Sequence, residues 1–453
     1  MRLGDLRGYR VGVWGLGVEG DAAARAAEAA GAAQVVVVDH EASVVAGRWQ
    51  LTNDTQVLAS CDVVIRSPGI SRYRTDAREL AARTLVVTGT ALALAELLGM
   101  GQRVLCITGT KGKSTTSALV ATILEACGVS AAHVGNNGKP MLGLLLERET
   151  TPLPDVVVAE ISSYQAADVE VSPSLGAITS LAPEHLDWHG SIDRYYADKM
   201  NLFVNYPDAL IVVSNQAIQI AAEYLPLSTL RTPDQVVDTT VLASYSQGTL
   251  LGQHNRENVR LALACCARLG INLQSSRGRI EAALQAFQGL PHRLNPVASL
   301  DGVVYIDDVL STTPLSVTAA LEALGTHAVT LIAGGQDRGL DFDSLAHAIV
   351  FRDCPIRLIT MPDSGCRIAR SIRRASADTD RKSVVVYEVE DLVAAVDTAT
   401  RVTSPDGIVL LSPGSPSYNR YANFKALGSA FADLLTKAGA VPLSPSQEAA
   451  LHV

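Results

Sequence analysis

The chain has 453 residues, of which 48% are hydrophobic and 5% aromatic, and its formal net charge is −9. Three domains of ordinary size, each able to bury a core, are expected from that length. The negative balance excludes broad electrostatic attraction for nucleic acid or an acidic membrane surface. The 7 cysteines are scattered without CxxC spacing, with Cys265 and Cys266 adjacent; an odd set of this kind reads as reduced thiols rather than a disulfide framework. The opening Met1-Arg2-Leu3-Gly4-Asp5 leads into no long apolar stretch, and no apolar run reaches membrane-spanning length. A soluble cytoplasmic protein without a signal peptide is therefore expected.

Strand-like runs alternate with Ala-rich helical segments from end to end, which predicts an α/β protein with mostly parallel sheets. A strand over 9–14 empties into Gly15-Leu16-Gly17-Val18-Glu19-Gly20, followed by a helix over 21–30 and a strand over 34–38 that ends at Asp39. A GxGxxG turn with an acidic residue about 20 positions on is the dinucleotide pattern. A strand over 62–65 then runs into Ser67-Pro68-Gly69, a second turn whose backbone donors can meet phosphate. Over 88–98 the pattern changes to a linker and a fresh helix, placing a boundary near residue 93.

The next strand leads into Gly109-Thr110-Lys111-Gly112-Lys113-Ser114-Thr115 and a helix over 117–127. Backbone N–H groups of such a turn, with the helix N-terminus behind it, cradle phosphate oxygens; Lys113 can reach the β- and γ-phosphates, and Ser114 or Thr115 can ligate Mg²⁺. The standard P-loop pattern is incomplete, because Ile107 stands where a glycine is usual. ATP is the expected nucleotide.

Strands over 155–158, 175–179 and 209–214 and helices over 255–269 and 280–287 continue this second block, which stops near residue 295 at Gly289-Leu290-Pro291-His292-Arg293-Leu294. Glu160 follows its strand where open α/β sheets place ligands, and beside the phosphate loop it would be a Mg²⁺ ligand. Glu184-His185-Leu186-Asp187-Trp188-His189-Gly190 packs carboxylates around histidines and suggests a second metal position. On spacing alone Lys199 reads as a helix-surface charge. The third block has strands over 303–306, 328–333, 356–360, 383–387 and 407–411 and a helix over 421–438, with a loose tail from Val441. The domains expected are 1–93, 94–295 and 296–453.

Taken in order, residues 109–115, Glu160-Ile161-Ser162-Ser163-Tyr164-Gln165, His185-Leu186-Asp187, Lys199, Gln253-His254-Asn255-Arg256-Glu257-Asn258, Pro291-His292-Arg293 and Ser412-Pro413-Gly414-Ser415-Pro416-Ser417 resemble the muramyl ligases over essentially the whole chain. These are ATP-dependent amide-bond synthetases of peptidoglycan stem-peptide assembly, and the resemblance is to the branch that adds glutamate to UDP-N-acetylmuramoyl-L-alanine. It implies a Rossmann-like N-terminal domain for the UDP substrate, a central P-loop-type ATPase domain and a Rossmann-like C-terminal domain. By the same resemblance, Gly109, Thr110, Lys111, Gly112, Lys113, Ser114 and Thr115 hold the ATP phosphates. Asn255 and Asn258 face the adenine, and His292, Arg293 and Asp308 close on the nucleotide from the hinge. Ser114, Glu160, His185 and Lys199 serve two Mg²⁺ sites, Lys199 as a carbamate; Lys113, Lys199 and His185 are the implied catalytic set. Gly15, Leu16, Gly17, Asp39, Ser67, Gly69 and Asn136 receive the UDP substrate, a site for UDP rather than a nicotinamide. A monomer with no nucleic-acid or membrane partner is expected.

The departures from the family cluster where the incoming amino acid should sit. Leu310, in Asp307-Asp308-Val309-Leu310-Ser311-Thr312-Thr313-Pro314, replaces a usual lysine; Arg338 stands where a lysine would contact the amino acid; and Gly414-Ser415-Pro416-Ser417 replaces Ala-Cys-Ala-Ser. Thr312, Arg338, Ser417 and Phe424 are the amino-acid residues implied. Such changes of charge geometry resemble a divergent branch that adds L-glutamate and works with an epimerase that later inverts it. The ordinary D-glutamate-adding ligase, a folylpolyglutamate-type ligase and a non-catalytic nucleotide-binding protein remain the alternatives.

Overall fold

The computed structural model describes residues 1–39, 51–136, 138–148, 150–173, 175–205, 209–248, 250–354, 356–377, 379, 384–417, 420–444, 447 and 451. Asn137, Ser383 and parts of the expected tail lie outside them. The chain divides into two compact units, one of Met1–Ser246 with Glu257–Leu284, the other of Gln247–Arg256 with Gln285–Val453. The boundary expected near residue 93 falls inside the helix Gly89–Gly99, and that near 295 falls at the start of a strand.

The first unit holds two parallel sheets. β1 (Arg10–Trp14), β2 (Gln34–Val38), β3 (Leu51–Thr52), β4 (Val63–Arg66) and β5 (Leu85–Val87) take the order β3-β2-β1-β4-β5. The second sheet is β11-β10-β9-β6-β8-β7, from β6 (Arg103–Thr108), β7 (Ala131–Gly135), β8 (Val156–Glu160), β9 (Leu175–Ile178), β10 (Leu210–Val213) and β11 (Leu230–Arg231). Its middle strands read as nearly unbroken Val, Ile, Leu and Ala because helices cover both faces. One continuous core joins Val11 and Val63 of the first sheet to Cys106, Val157 and Ile211 of the second through Ala22, Ala26 and Leu94. Alanine makes close approach possible at the helix Val18–Ala29. There Gly20 goes further still: a Cβ would lie 1.9 Å from the Gly15 carbonyl oxygen.

The second unit carries β12 (Asn295–Leu300), β13 (Val303–Asp307), β14 (Val329–Ala333), β15 (Ile356–Thr360), β16 (Val385–Glu388) and β17 (Ile408–Leu411) in the order β12-β13-β17-β14-β15-β16. Val304, Ile306, Leu331 and Leu410 enter one core, Tyr305, Ile332, Val409 and Leu411 the other, the period of two expected of a sheet covered on both sides. Among the described residues no helix is long and apolar enough to cross a membrane.

Sequence patterning did not anticipate β3, β5, β7, β11 or β12. β7 is mostly Ala and His and becomes a strand by pairing with β8, a tertiary choice that overrides propensity. β12 and β13 form the one antiparallel strand pair among those described, and β12 tolerates Pro296 at the sheet edge. The tail is not loose where it is described: Val441 exchanges backbone hydrogen bonds with Ser299 at 2.7 and 2.8 Å, Gln447 Nε2 donates to Ser299 Oγ at 2.6 Å, and Leu451 is buried.

A buried ion pair ties the two sheets of the first unit. Arg66, 1% exposed at the end of β4, donates to Asp168, which also meets Arg72 at 3.2 Å. Breaking such a pair strands a buried charge. Asp168→Asn is therefore expected to cost about 3 kcal/mol, read as a lower urea midpoint; an unchanged midpoint would count against the pair.

Candidate active site

The phosphate loop forms where β6 ends. Gly112 sits at φ 86, a conformation that admits a side chain poorly, and a Cβ there would also fall 2.5 Å from Asn258 Oδ1. With Gly112 as cap the helix runs Lys113–Ala126, four residues earlier than the pattern suggested, so Lys113 and Ser114 open its first turn with their N–H groups facing outward. The loop is strapped to the segment after β9: Thr110 N–H donates to Ser180 O at 2.6 Å, Lys111 N–H to Ser180 Oγ at 2.9 Å, and Thr179 Oγ to Lys111 O at 2.5 Å. Thr110 Oγ lies 2.8 Å from the Tyr195 hydroxyl.

Three lysines converge on this turn. Lys113 Nζ donates to Gly109 O and Thr110 O, both at 2.9 Å, and Lys199 Nζ donates to the same Gly109 O at 2.9 Å. Lys111 Nζ meets Glu184 Oε1 at 2.6 Å. Lys199 is 1% exposed rather than on the helix surface. Burial, then the neighbouring Lys113, push its amine well below the ordinary range. Burial pushes Glu184 up, yet Lys111, His185 and Lys113 bring its carboxyl below the usual value. His185, held at φ 57, has its imidazole pushed down chiefly by burial, which favours the neutral, metal-binding form.

Glu160 stands one strand away, opposite Ile107 of β6 and Gly135 of β7. Its side chain is buried; Oε1 accepts from Asn136 Nδ2 at 3.0 Å, while Oε2 has no hydrogen-bond partner. An orphaned buried carboxylate oxygen costs free energy that a hard cation would recover, so this residue fits Mg²⁺. No group of three or more His, Cys, Asp or Glu that could hold a metal ion is found among the described residues.

Beside it a cleft of about 370 Å³ is lined by Gly15, Leu16, Gly17 and Asp39 of the first turn, Ser67 and Gly69 of the second, and Asn136. All seven residues expected at the UDP site thus lie on one surface, at the carboxyl ends of β1, β2, β4 and β7. The Asp39 carboxylate accepts the Leu16 N–H at 2.5 Å, so it shapes the turn. Glu19 also lines the cleft; burial pushes its carboxyl up, and Gln165 Nε2 donates to it at 2.8 Å.

The expected nucleotide residues divide between the two units. Asn258 packs on Gly112, and Thr116 Oγ donates to its Oδ1 at 3.3 Å, in the first unit. Asn255, Arg293 and Asp308 belong to the second, where Asn255 Nδ2 donates to Leu251 O at 2.8 Å. Asp308 accepts from Leu294 N–H at 3.1 Å and Ser412 Oγ at 2.7 Å, yet burial raises its carboxyl to about 6. Loops after β13, β14 and β17 are stitched by Gly414 N–H to Ser311 O at 2.8 Å and Gln336 N–H to Pro416 O at 2.6 Å. They bring the segments of Thr312, Arg338 and Ser417 to one sheet edge. Arg338 is exposed there, its guanidinium 3.2 Å from Gln336 Oε1, and Phe424 meets the His292 ring edge-on at 5.7 Å. Residues to which patterning assigned no role are Tyr195, Glu19 and Gln165, whose partners lie far away in the chain; Glu19 and Gln165 stand inside motifs that were read for other residues.

The Mur ligase middle domain model matches residues 107–233. The chain is 38% identical over 462 residues to a UDP-N-acetylmuramoyl-L-alanine--L-glutamate ligase of Micromonospora sp., covering 96% of this chain and 98% of that one. Identity to the like-named ligase of Salinispora tropica is 39% over 464 residues, covering 95% and 98%. Among solved structures, the UDP-N-acetylmuramate-alanine ligase MurC of Thermotoga maritima superposes with a TM-score of 0.57 at 17% identity, covering 95% of this chain and 100% of that one. MurF ligase of the same organism, in complex with ADP, gives 0.56 at 16%, covering 96% and 97%. At such identities the structures establish the shared fold.

Asp308 gives a pH test. Its folded value of about 6 lies above the unfolded 3.8, so the neutral carboxyl's contribution is fully present below 3.8 and is lost as pH rises through about 6. Relative to Asp308→Asn, the wild-type chain is expected to lose up to about 3 kcal/mol between pH 4 and 7, measured by urea midpoints at both pH values. A pH-independent difference would exclude this origin.

Proposed function

This chain belongs to the Mur ligase family, and we propose that it joins L-glutamate to UDP-N-acetylmuramoyl-L-alanine in peptidoglycan precursor synthesis, through an acyl phosphate. It is an ATP-dependent amide-bond-forming ligase. The observation that carries the L-glutamate reading is the relatives named for that enantiomer, 38–39% identical across nearly the whole of both chains. Supporting it, the segments with Leu310 and Arg338 and residues 414–417 share one stitched sheet edge. The three-domain division at 93 and 295 belongs to the same reading, with UDP substrate, ATP and amino acid taken in that order along the chain.

A carboxylate does not acylate an amine directly. In the first step a carboxylate oxygen of the muramoyl-alanine attacks the γ-phosphorus of ATP and ADP leaves. The Lys113 ammonium, now on loop carbonyls, turns to the transferring phosphoryl, where backbone N–H groups at the start of its helix also point. Ser114, Glu160, His185 and carbamylated Lys199 would hold two Mg²⁺ ions. Bound Mg²⁺ neutralises phosphate charge and orients the in-line transfer. Lys199 becomes a carbamate when its unprotonated amine adds to the carbon of CO₂ and releases one proton, a step its depressed basicity favours. Glutamate's unprotonated amine then attacks the acyl carbon, and the tetrahedral intermediate gives up an N–H proton and expels phosphate, which leaves the amide. Arg338 would grip a glutamate carboxylate in a fixed plane, as lysine cannot. The L-glutamyl product requires an epimerase downstream, and a cytoplasmic monomer completes the reading.

Lys113→Ala is expected to lower ligation at least 10²-fold, followed by phosphate release. Lys199→Ala should lose most activity and regain part with added short carboxylates. The stereochemical test offers both glutamate enantiomers in one reaction with ATP and resolves the product on a chiral column. About 10²-fold preference for L-glutamate is expected, since a 1 Å displacement of the amine costs that much; dominant D-glutamate incorporation would place the chain in the ordinary branch.

A further inference from the structure

Three of the four residues proposed to hold Mg²⁺, all but Ser114, come from separate segments beyond the phosphate loop: Glu160 ends β8, His185 precedes the short helix Leu186–His189, and Lys199 lies in the helix Ile192–Met200. Each stands within four residues of a member of one buried hydrogen-bonded chain. Ser163 Oγ lies 3.0 Å from His189 Nε2, and His189 Nδ1 lies 2.6 Å from Asp198 Oδ2. The other Asp198 oxygen accepts from the Tyr73 hydroxyl at 2.6 Å. Ser163 follows Glu160 by three residues, His189 follows His185 by four, and Asp198 immediately precedes Lys199.

We propose that Ser163, His189 and Asp198 are positioning residues that set the spacing of the three metal-holding segments. This rests on the metal assignment under Proposed function. The order of groups is that of a hydrolase triad, but Ser163 is 2% exposed and His189 0%. Substrate does not reach that hydroxyl, so the array acts as a strut. His189 has one available orientation, with the Trp188, Tyr195 and Tyr164 rings at 4.4, 5.2 and 5.6 Å from its own. Both ring nitrogens are engaged, and a fully satisfied buried network of this kind is rigid. The strut also reaches the cleft. Ser71 Oγ donates to Trp188 O at 2.8 Å, and Trp188 Nε1 to the carbonyl of cleft-lining Pro68 at 3.1 Å.

Partners behind metal ligands typically change metal affinity 10–100-fold when removed. The test titrates Mn²⁺, as the Mg²⁺ probe, into the full-length protein saturated with ADP, reading free Mn²⁺ by electron paramagnetic resonance against ADP alone. Ser163→Ala and His189→Ala are expected to raise the Mn²⁺ Kd by about 10–100-fold, and His189→Gln, which keeps a donor and an acceptor, to bind more tightly than His189→Ala. Circular dichroism and unfolding midpoints report folding; should His189→Ala fail to fold, Ser163→Ala, which deletes a single oxygen, decides. A folded Ser163→Ala protein with a Kd within twofold of wild type overturns the proposal, as does lost stability with unchanged affinity. Glu160→Gln separates the two readings. If it weakens Mn²⁺ binding while the relay variants do not, only the strut fails; if it changes nothing, the metal assignment itself fails.

Discussion

Two amines, Lys113 Nζ and Lys199 Nζ, donate to a single carbonyl oxygen, that of Gly109. Two ammonium ions so placed repel each other, and in a low-dielectric setting the repulsion is large. Burial first, and then the neighbouring Lys113, push the Lys199 amine well below its ordinary range, while half-buried Lys113 lies in the first turn of its helix. A helix N-terminus with Lys113 in its first turn favours an anion. Phosphate is the natural complement.

The same economy explains where everything else lies. Parallel strands deliver their carboxyl ends to one edge, and in each sheet candidate residues are found there: the glycine turns after β1 and β4, Lys111 and Lys113 after β6 with Glu160 at the end of β8, and the stitched loops after β13, β14 and β17. Backbone donors and acceptors do the holding. Side chains then differentiate the sites by charge: a carboxylate with an orphaned oxygen at Glu160, an exposed guanidinium at Arg338, a raised carboxyl at Asp308.

What was legible in the sequence follows from this division. The phosphate loop, the glycine turn before Val18 and the strand carrying Glu160 are local patterns, a few residues each, and are found where patterning put them. The burial of Lys199 was not legible, because helix spacing alone makes a lysine a surface charge and only tertiary packing against Gly109 buries it. β7 and β12 escaped for a related reason: their composition is ordinary loop material, and pairing with β8 and β13 makes them strands. The tail escaped too, since its anchoring depends on Ser299, far away in the chain.

Ser163, His189 and Asp198 mark the limit of local reading. Each is unremarkable in its own segment, a helix-start serine, a helix-end histidine and a mid-helix aspartate. Only folding joins them, across separations of 26 and 9 residues. Chemistry-bearing residues can be guessed from type and spacing because they must present a particular group. Residues that orient them need only fit a cavity and satisfy two hydrogen bonds, a requirement that many positions and side chains could meet. Such networks are therefore written in the packing rather than in the motif, and a substitution there would change the site while leaving every motif residue in place.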